Sequence, residues 1–495
     1  MKIALRIDAR RMRRWHGDVV ARLAAAGHRL VWMAADDEPP APAGAALLAF
    51  ERAVLRRGRA GACDLVPLDL PRADGPADLT IDFSARSGAA APCLRVVADG
   101  AAGEDALFGA VLAGGAPAVA LIDETGATRG QALAALEEAR GLDGAIEAIG
   151  SRLAMLIEAV IADGRARLIE DAPPAAPGAA AALRFGAQSL ARLAGAAIRR
   201  RVAFSPHWRV GWRWSEGGDL LDRLSLDGPA WRVLADPGDR FYADPFPVEW
   251  GGRTALFVED FDHRAGKGVI AAIGFGADGP QGAAELALEE PWHLSYPHVF
   301  AWRDALWMVP ESSAARCVAL YRCVDFPLRW ERVATLVEGV EAADATLFEH
   351  GGRWWMTAVA RPPAGGYSDA LSIWHAPAPI GPWTAHAANP ALIDARVARP
   401  AGGVVVRGGR LLRPAQECLR VYGAALSILE ITELTEERFA QRLVARIAPG
   451  APRWPGDRLH TWNRAGRLET IDGEVFNPRL PALRRLAAAR QAPAG

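Results

Sequence analysis

A short hairpin that returns at constant register through the second half of the chain restricts the fold more than any other feature. Asp244 opens DPFPVEW, which turns at Gly251, Gly252 and Arg253 into TALFVE. Asp344 opens DATLFEH before Gly351, Gly352 and Arg353, and Ala401 opens AGGVVVR before Gly408, Gly409 and Arg410. The first turn glycine lies seven residues after the opening residue in all three. A fourth unit starts at Tyr296 and turns at Arg303 and Asp304, and HTWNRAGRLETIDG from His460 is a weaker fifth. Paired glycines supply the two successive positive φ angles that the tightest hairpins need. Units about 50 residues apart, with room for more strands between them, predict an all-β propeller of five blades. The innermost strand of each blade then starts near the axis, so Asp244, Tyr296, Asp344 and Arg399 converge on one mouth.

The first part of the chain is built differently. Fifteen of 17 tryptophans, all five tyrosines and eight of ten histidines lie after residue 200. MKIALRI reads as a strand, WHGDVVARLAAAGHRL as an amphipathic helix stopped near Gly27, and VWMAA as a second strand. DLTIDFS, ALFGAVLAGG and PAVALID follow, then a long helical tract from RGQALAALEE to IADG. This alternation predicts a Rossmann-type α/β domain with a mostly parallel sheet over residues 1–165. A linker and amphipathic helix occupy 166–202, the propeller 203–480, and a tail 481–495. No GxGxxG follows the first strand, so no dinucleotide cofactor is expected, nor any other.

Charge narrows the partners. Lys+Arg 57 against Asp+Glu 58 leaves a net charge of −1, which gives no field to gather a polyanion, and nucleic acid is set aside. Only Lys2 and Lys267 are lysines, so arginine is too common here for its presence alone to signal function. The apolar run IAL is broken at Arg6 and Asp8, unlike a secretory leader, and no stretch has the length of a membrane span. Five cysteines in neither a framework nor a CxxC pattern fit reduced thiols. A cytoplasmic protein without transmembrane segments is expected, with peripheral membrane contact open to the basic-ended helix before residue 202.

The opening strand with RxxxWxxxVVxxLxxxGHxL resembles the formyltransferase N-terminal fold over residues 1–165. SARSGAAAPCLRVVADG, after Phe83, lacks the histidine that acyl transfer would use, so this domain is expected to be non-catalytic. FYADPF, the GGR turns and GPWxxHxxNP (Gly381, Pro382, Trp383, His386, Asn389, Pro390) are similar to the five-bladed propellers of arabinanase and β-xylosidase glycoside hydrolases. FYADPF, HLSYPHVF, MVPESS, FPLRW, ADATLFEHGGRWW, RPAGG, RPAQ, YG and HT more closely resemble the N-terminal domain of glucosamine inositolphosphorylceramide transferases and their bacterial relatives. That resemblance implies a carbohydrate-active enzyme of glycoconjugate synthesis, either a glycosyltransferase or a glycoside hydrolase. Its partners would be a sugar or activated sugar and a glycoconjugate acceptor. A non-catalytic glycan-binding or scaffolding module is the alternative.

Glycosyl chemistry asks for a carboxylate nucleophile or base and a protonated group for the leaving oxygen. Asp244 matches the base motif of the arabinanase-type propellers, Asp344 shares its register, and Glu311 in VPESS, with Trp and Met on its strand, is the candidate acid. Glu259 and Glu417 are reserves. Arg399, Arg413 and Gln416 are candidates for holding phosphate, carboxylate or vicinal hydroxyls. Tyr296, His293 and His460 complete the expected binding set. Trp292, Trp354, Trp355 and Trp383 are assigned mainly to blade cores, and no histidine spacing suits a metal.

Overall fold

The computed structural model describes all residues except 37–41, 57, 87, 89–91, 170–180, 362–365, 451–453, 455 and 481–495. The expected tail and most of the expected linker therefore lie outside the described residues. Contacts divide the chain into two units. One comprises residues 1–195 with 366–369 and Leu392–Ala395, and the other holds most of the remainder.

The first unit carries one sheet ordered Arg29–Ala34, Lys2–Ile7, Leu79–Asp82, Cys93–Ala98, Ala118–Asp123, Thr128–Leu133. The first four strands are parallel, and the last two join antiparallel, so the sheet is mixed where alternation predicted mostly parallel pairing. The expected long helix is also shorter. RGQAL forms an edge strand and the helix runs only over Gly141–Asp163. Hydrogen bonds to Ala118–Asp123 outweigh the local helix preference of this Ala- and Leu-rich stretch.

The second unit is a five-bladed β-propeller. Blade 2 is Arg240–Trp250, Arg253–Asp262, Lys267–Gly276, Gly279–Leu288, and blade 3 is Ser295–Trp302, Ala305–Glu311, Cys317–Asp325, Arg329–Glu338. Blade 4 is Ala342–His350, Arg353–Ala360, Ala370–Ala376, Thr384–Ala385, and blade 5 is Val405–Arg407, Arg410–Glu417, Ala425–Leu434, Phe439–Ile447. Blade 1 closes the ring. Its inner strands Trp462–Ala465 and Leu468–Glu474 come from the far end of the chain, and its outer strands are Trp208–Trp214 and Arg232–Val233. Pairing early strands with late ones joins the two ends of the ring within one hydrogen-bonded sheet.

Apolar side chains pack between neighbouring blades. Phe246, Phe257, Met308 and Tyr321 lie between blades 2 and 3, and Val309, Leu347, Trp354 and Met356 between 3 and 4. The GPWxxHxxNP motif turns out to be architectural. Asn389 clamps Ile373 through both backbone groups, at 2.8 and 2.7 Å, and His386 Nε2 meets the Thr435 carbonyl at 2.8 Å.

Every GGR turn has both glycines at positive φ: 57° and 74°, 62° and 72°, 54° and 76°. Space around them is open, so backbone strain alone governs a substitution there. Gly252→Ala should lower stability by about 1 kcal/mol in urea unfolding, and an unchanged midpoint would contradict this account. Among the described residues, no helix is long and apolar enough to cross a membrane.

Candidate functional site

Three of the four predicted blade starts share an unusual backbone. Asp244, Tyr296 and Asp344 sit at φ 50°, 43° and 57°, and each lies in a β-bulge where the inner strand slips against its partner. A bulge bends its strand and re-aims a side chain, and left-handed non-glycine residues cost energy that cooperative bonding must offset.

That bonding runs around the axis. Asp472 Oδ2 accepts from the Asp244 amide at 2.8 Å, and Asp244 Oδ2 accepts from the Tyr296 amide at 3.1 Å. Thr461 donates its hydroxyl to Asp244 Oδ1 at 3.0 Å. Arg399 Nε and Gln416 Nε2 both donate to Asp344 Oδ2, at 2.6 and 2.8 Å. Each contact links different blades, so the polar belt ties the ring together at one mouth.

A cavity of about 530 Å³ opens there, lined by Asp244, Glu259, Glu311, Asp344, Arg399 and His460 among others. His293 lines it too, with Nδ1 accepting from the Gly268 amide at 2.9 Å and Nε2 3.5 Å from Glu259 Oε1. Seven of the ten predicted site residues thus surround one space. Tyr422, Trp208, Phe241, Phe261 and His263 join them.

Three predicted side chains are placed elsewhere. Tyr296 turns its hydroxyl inward, 2.9 Å from Thr346 Oγ1 and 2.7 Å from the Gly402 amide, so only its backbone serves Asp244. Arg413 is fully buried on Gln441 and the Val397 and Ala398 carbonyls, which satisfy its guanidinium inside the blade. Gln416 is fully buried and reaches the site only through Asp344 and the Pro400 carbonyl. Reserve Glu417 pairs with Arg446 and does not line the cavity. Trp292, Trp354, Trp355 and Trp383 are likewise absent from its lining, and the tryptophan present is Trp208.

The carboxyls are held away from water. Burial, opposed by His460 and reinforced by Asp472 and Asp344, raises Asp244 to about 6. Burial also raises Asp344 to about 7, with Arg399 opposing and Glu311 adding to it. Glu259 goes well above the usual range through burial and then its carboxylate neighbours. Protons are therefore shared among crowded groups near neutrality, which is the condition for acid and base roles in one site.

His460 lies between two of these acids, with Nδ1 2.5 Å from Asp472 Oδ1 and Nε2 3.5 Å from Asp244 Oδ1. Burial works against its charge, but the Asp472 and Asp244 carboxylates outweigh it and raise its pKa. Its ring stacks on Trp208 at 3.9 Å, and the Tyr422 ring meets it edge-on. Gly423 makes room, since a Cβ there would come within 2.6 Å of His460 Cβ. Asp244, His460 and Asp472 offer ligand atoms within 4.8 Å of one another, a donor set suited in type to a cation. All four carboxylate oxygens of that trio already accept protein hydrogen bonds, so the geometry reads as an Asp–His–Asp relay.

These raised acids set a pH dependence. Their folded pKa values lie above the unfolded ones, so their contribution to stability is complete below about pH 4 and is lost as pH rises through about 6 for Asp244 and about 7 for Asp344. His460, also raised, loses its contribution in the same direction. Urea midpoints from pH 4 to 8 should fall less steeply in Asp344→Asn than in the wild type. Parallel profiles would refute the assignment.

Residues 234–469 match the family model described as "Glucosamine inositolphosphorylceramide transferase 1, N-terminal". The protein of that name from Oryza sativa subsp. japonica is 32% identical over 281 residues, covering 51% of this chain and 37% of that protein. The one from Arabidopsis thaliana is 32% identical over 231 residues, covering 44% and 30%. The chain therefore spans about a third of the length of these curated relatives. Among solved structures, Zg3597, a family 117 glycoside hydrolase from Zobellia galactanivorans, aligns with 54% of this chain and 90% of its own at 11% identity and a TM-score of 0.35. An α-L-arabinanase from Cellvibrio cellulosa aligns at 15% identity, 41% and 77% coverage and a TM-score of 0.30. The family match begins beyond the N-terminal sheet, and the formyltransferase resemblance there stays a sequence expectation.

Asp472, Thr461, Trp208, Tyr422 and His263 escaped the sequence reading. Tyr422 had a signal in the YG pair. Asp472 had only its place in the weakest repeat.

Proposed function

We propose that this protein is a carbohydrate-active enzyme that transfers a glycosyl group during glycoconjugate synthesis, with the reaction in the axial cavity. The observation that carries this reading is the convergence of Asp244, Glu259, Glu311 and Asp344 on one cavity with raised acids among them. An oxocarbenium-like transition state needs a carboxylate on one side and a proton donor on the other. Asp244, steadied by Thr461 and the Tyr296 amide and flanked by His460, serves as the carboxylate. Asp344 and Glu259, both raised by burial, form the proton-holding side, with Glu311 beside Asp344. Arg399 keeps Asp344 and Glu311 close despite their like charge, lying 2.6 Å from one and 3.8 Å from the other.

The transferases matched over the propeller favour transfer to an acceptor over hydrolysis, with an activated sugar as donor. Incubation with nucleotide-activated sugars and glycolipid acceptors, and separately with aryl glycosides, tests this. Product from the first pair supports transfer. Release from aryl glycosides alone supports a hydrolase. No turnover in either, with the fold intact, refutes both.

One observation favours a second reading, a non-catalytic glycan-binding module. Asp244 and Asp344 are both engaged in bonds between blades, a structural use that needs no chemistry. Sugar binding without turnover, unchanged in Asp244→Asn, would favour that module.

A further inference from the structure

The cavity has a wall that the carboxylates do not explain. His263 lines it beside Phe241 and Phe261, its ring stacked on Phe204 at 4.8 Å. Its Nε2 lies 3.1 Å from His207 Nδ1, with the two ring planes 13° from parallel and their centroids 5.4 Å apart. His207 is fully buried, and its Nε2 lies 3.4 Å from Asp236 Oδ1. The Asp236 side chain is buried, which pushes its carboxyl up, but His207 and Arg209 outweigh that and hold it below the ordinary carboxylate range.

Asn477 Nδ2, held by the Gly238 carbonyl at 2.8 Å, lies 3.1 Å from His207 Nδ1 and can only donate to it, which makes that nitrogen an acceptor. Asp236 is ionised and accepts, so His207 carries its proton on Nε2 and leaves Nδ1 bare. His263 must then donate from Nε2, which leaves its own Nδ1 as an acceptor. Burial, with Arg479 adding to it, lowers His263 to about 4, so the ring stays neutral near pH 7. No bond from a described residue reaches that Nδ1.

We propose that Asp236, His207 and His263 form a tautomer-fixing relay that presents His263 Nδ1 as a hydrogen-bond acceptor for one hydroxyl of a sugar in the cavity. The proposal rests on the carbohydrate reading above and adds a specificity-determining residue to it. A neutral imidazole locked in one tautomer accepts from a hydroxyl and offers nothing to a group that lacks a proton to donate. A site built this way discriminates against a deoxy analogue far more strongly than an apolar wall does.

The test uses the full chain with histidine labelled in nitrogen-15. Two-bond proton–nitrogen spectra at pH 7 should show His263 as the Nε2–H tautomer, and Asp236→Asn should convert it to a mixture. Methyl glycosides of glucose, xylose and N-acetylglucosamine are then titrated as probes. At least one should bind and shift His263 Nδ1, and His263→Phe, which keeps the stack on Phe204, should weaken that binding at least about tenfold. An Nδ1–H tautomer, or a cationic ring, would overturn the relay. Equal binding by wild type and His263→Phe would overturn the hydroxyl subsite alone. If no glycoside binds the wild type, the carbohydrate reading falls and takes the subsite with it, while the tautomer spectra still judge the relay.

Discussion

Asp244→Asn should reduce turnover about 10³-fold while leaving sugar binding and folding nearly intact, the size expected when one acid–base or nucleophilic carboxylate is removed. The carboxamide has the same shape, so its oxygen still accepts from the Tyr296 amide and its nitrogen faces the Thr461 hydroxyl, which rotates to accept. Removing the carboxylate also removes the burial cost and the repulsion from Asp472 and Asp344 that together raise Asp244 to about 6. Steady-state rates and isothermal binding on the same preparation check this. A variant that turns over at the wild-type rate would exclude Asp244 as the reacting carboxylate.

Arg399→Met should cost about 3–5 kcal/mol of stability near pH 8, the range for removing one partner of a buried ion pair. Arg399 sits under the Tyr422 ring at 4.8 Å, bonds Asp344 and lies near Glu311, so its loss leaves two acids facing each other with one amide donor, Gln416, on Asp344. Without the guanidinium the Asp344 carboxyl moves further up and is neutral over more of the pH range. The deficit should therefore shrink at pH 5. Adding Asp344→Asn to Arg399→Met should restore a large part of the loss, because the amide no longer needs a countercharge. If the double variant is as unstable as the single one, packing rather than charge pairing accounts for Arg399.

Much of the fold was legible because hairpin chemistry is local. A pair of glycines at positive φ, seven residues after a blade start, reports a turn whatever lies around it. Repeated spacing then placed Asp244 and Asp344 on one mouth, with Glu259, Glu311, Arg399, His293 and His460 gathered beside them. Side-chain direction was not legible to the same degree. Tyr296 has the register and the bulge of Asp244, yet the deep space beside Thr346 and Gly402 takes its hydroxyl and leaves only its amide for the site. Arg413 and Gln416 were read from RPAQ, and burial against carbonyls decided what each could touch.

By itself the sequence determined the things carried by neighbours along the chain: the turns, the alternation of the blades, the break near residue 200 and the positions of the carboxyls at blade starts. Only tertiary structure decided the contacts that join distant residues. Ring closure brings Asp472, His460 and Thr461 onto Asp244 across more than 200 residues, and Asn477, His207 and Asp236 together behind His263. It also decided which acids are raised, because that depends on how far each is removed from water and on which charges the ring sets beside it. Hydrogen-bonded pairing with Ala118–Asp123 made a strand of RGQAL against its local preference. Local propensities differ by less than about 1 kcal/mol per residue, so a few such long-range bonds are enough to reverse them.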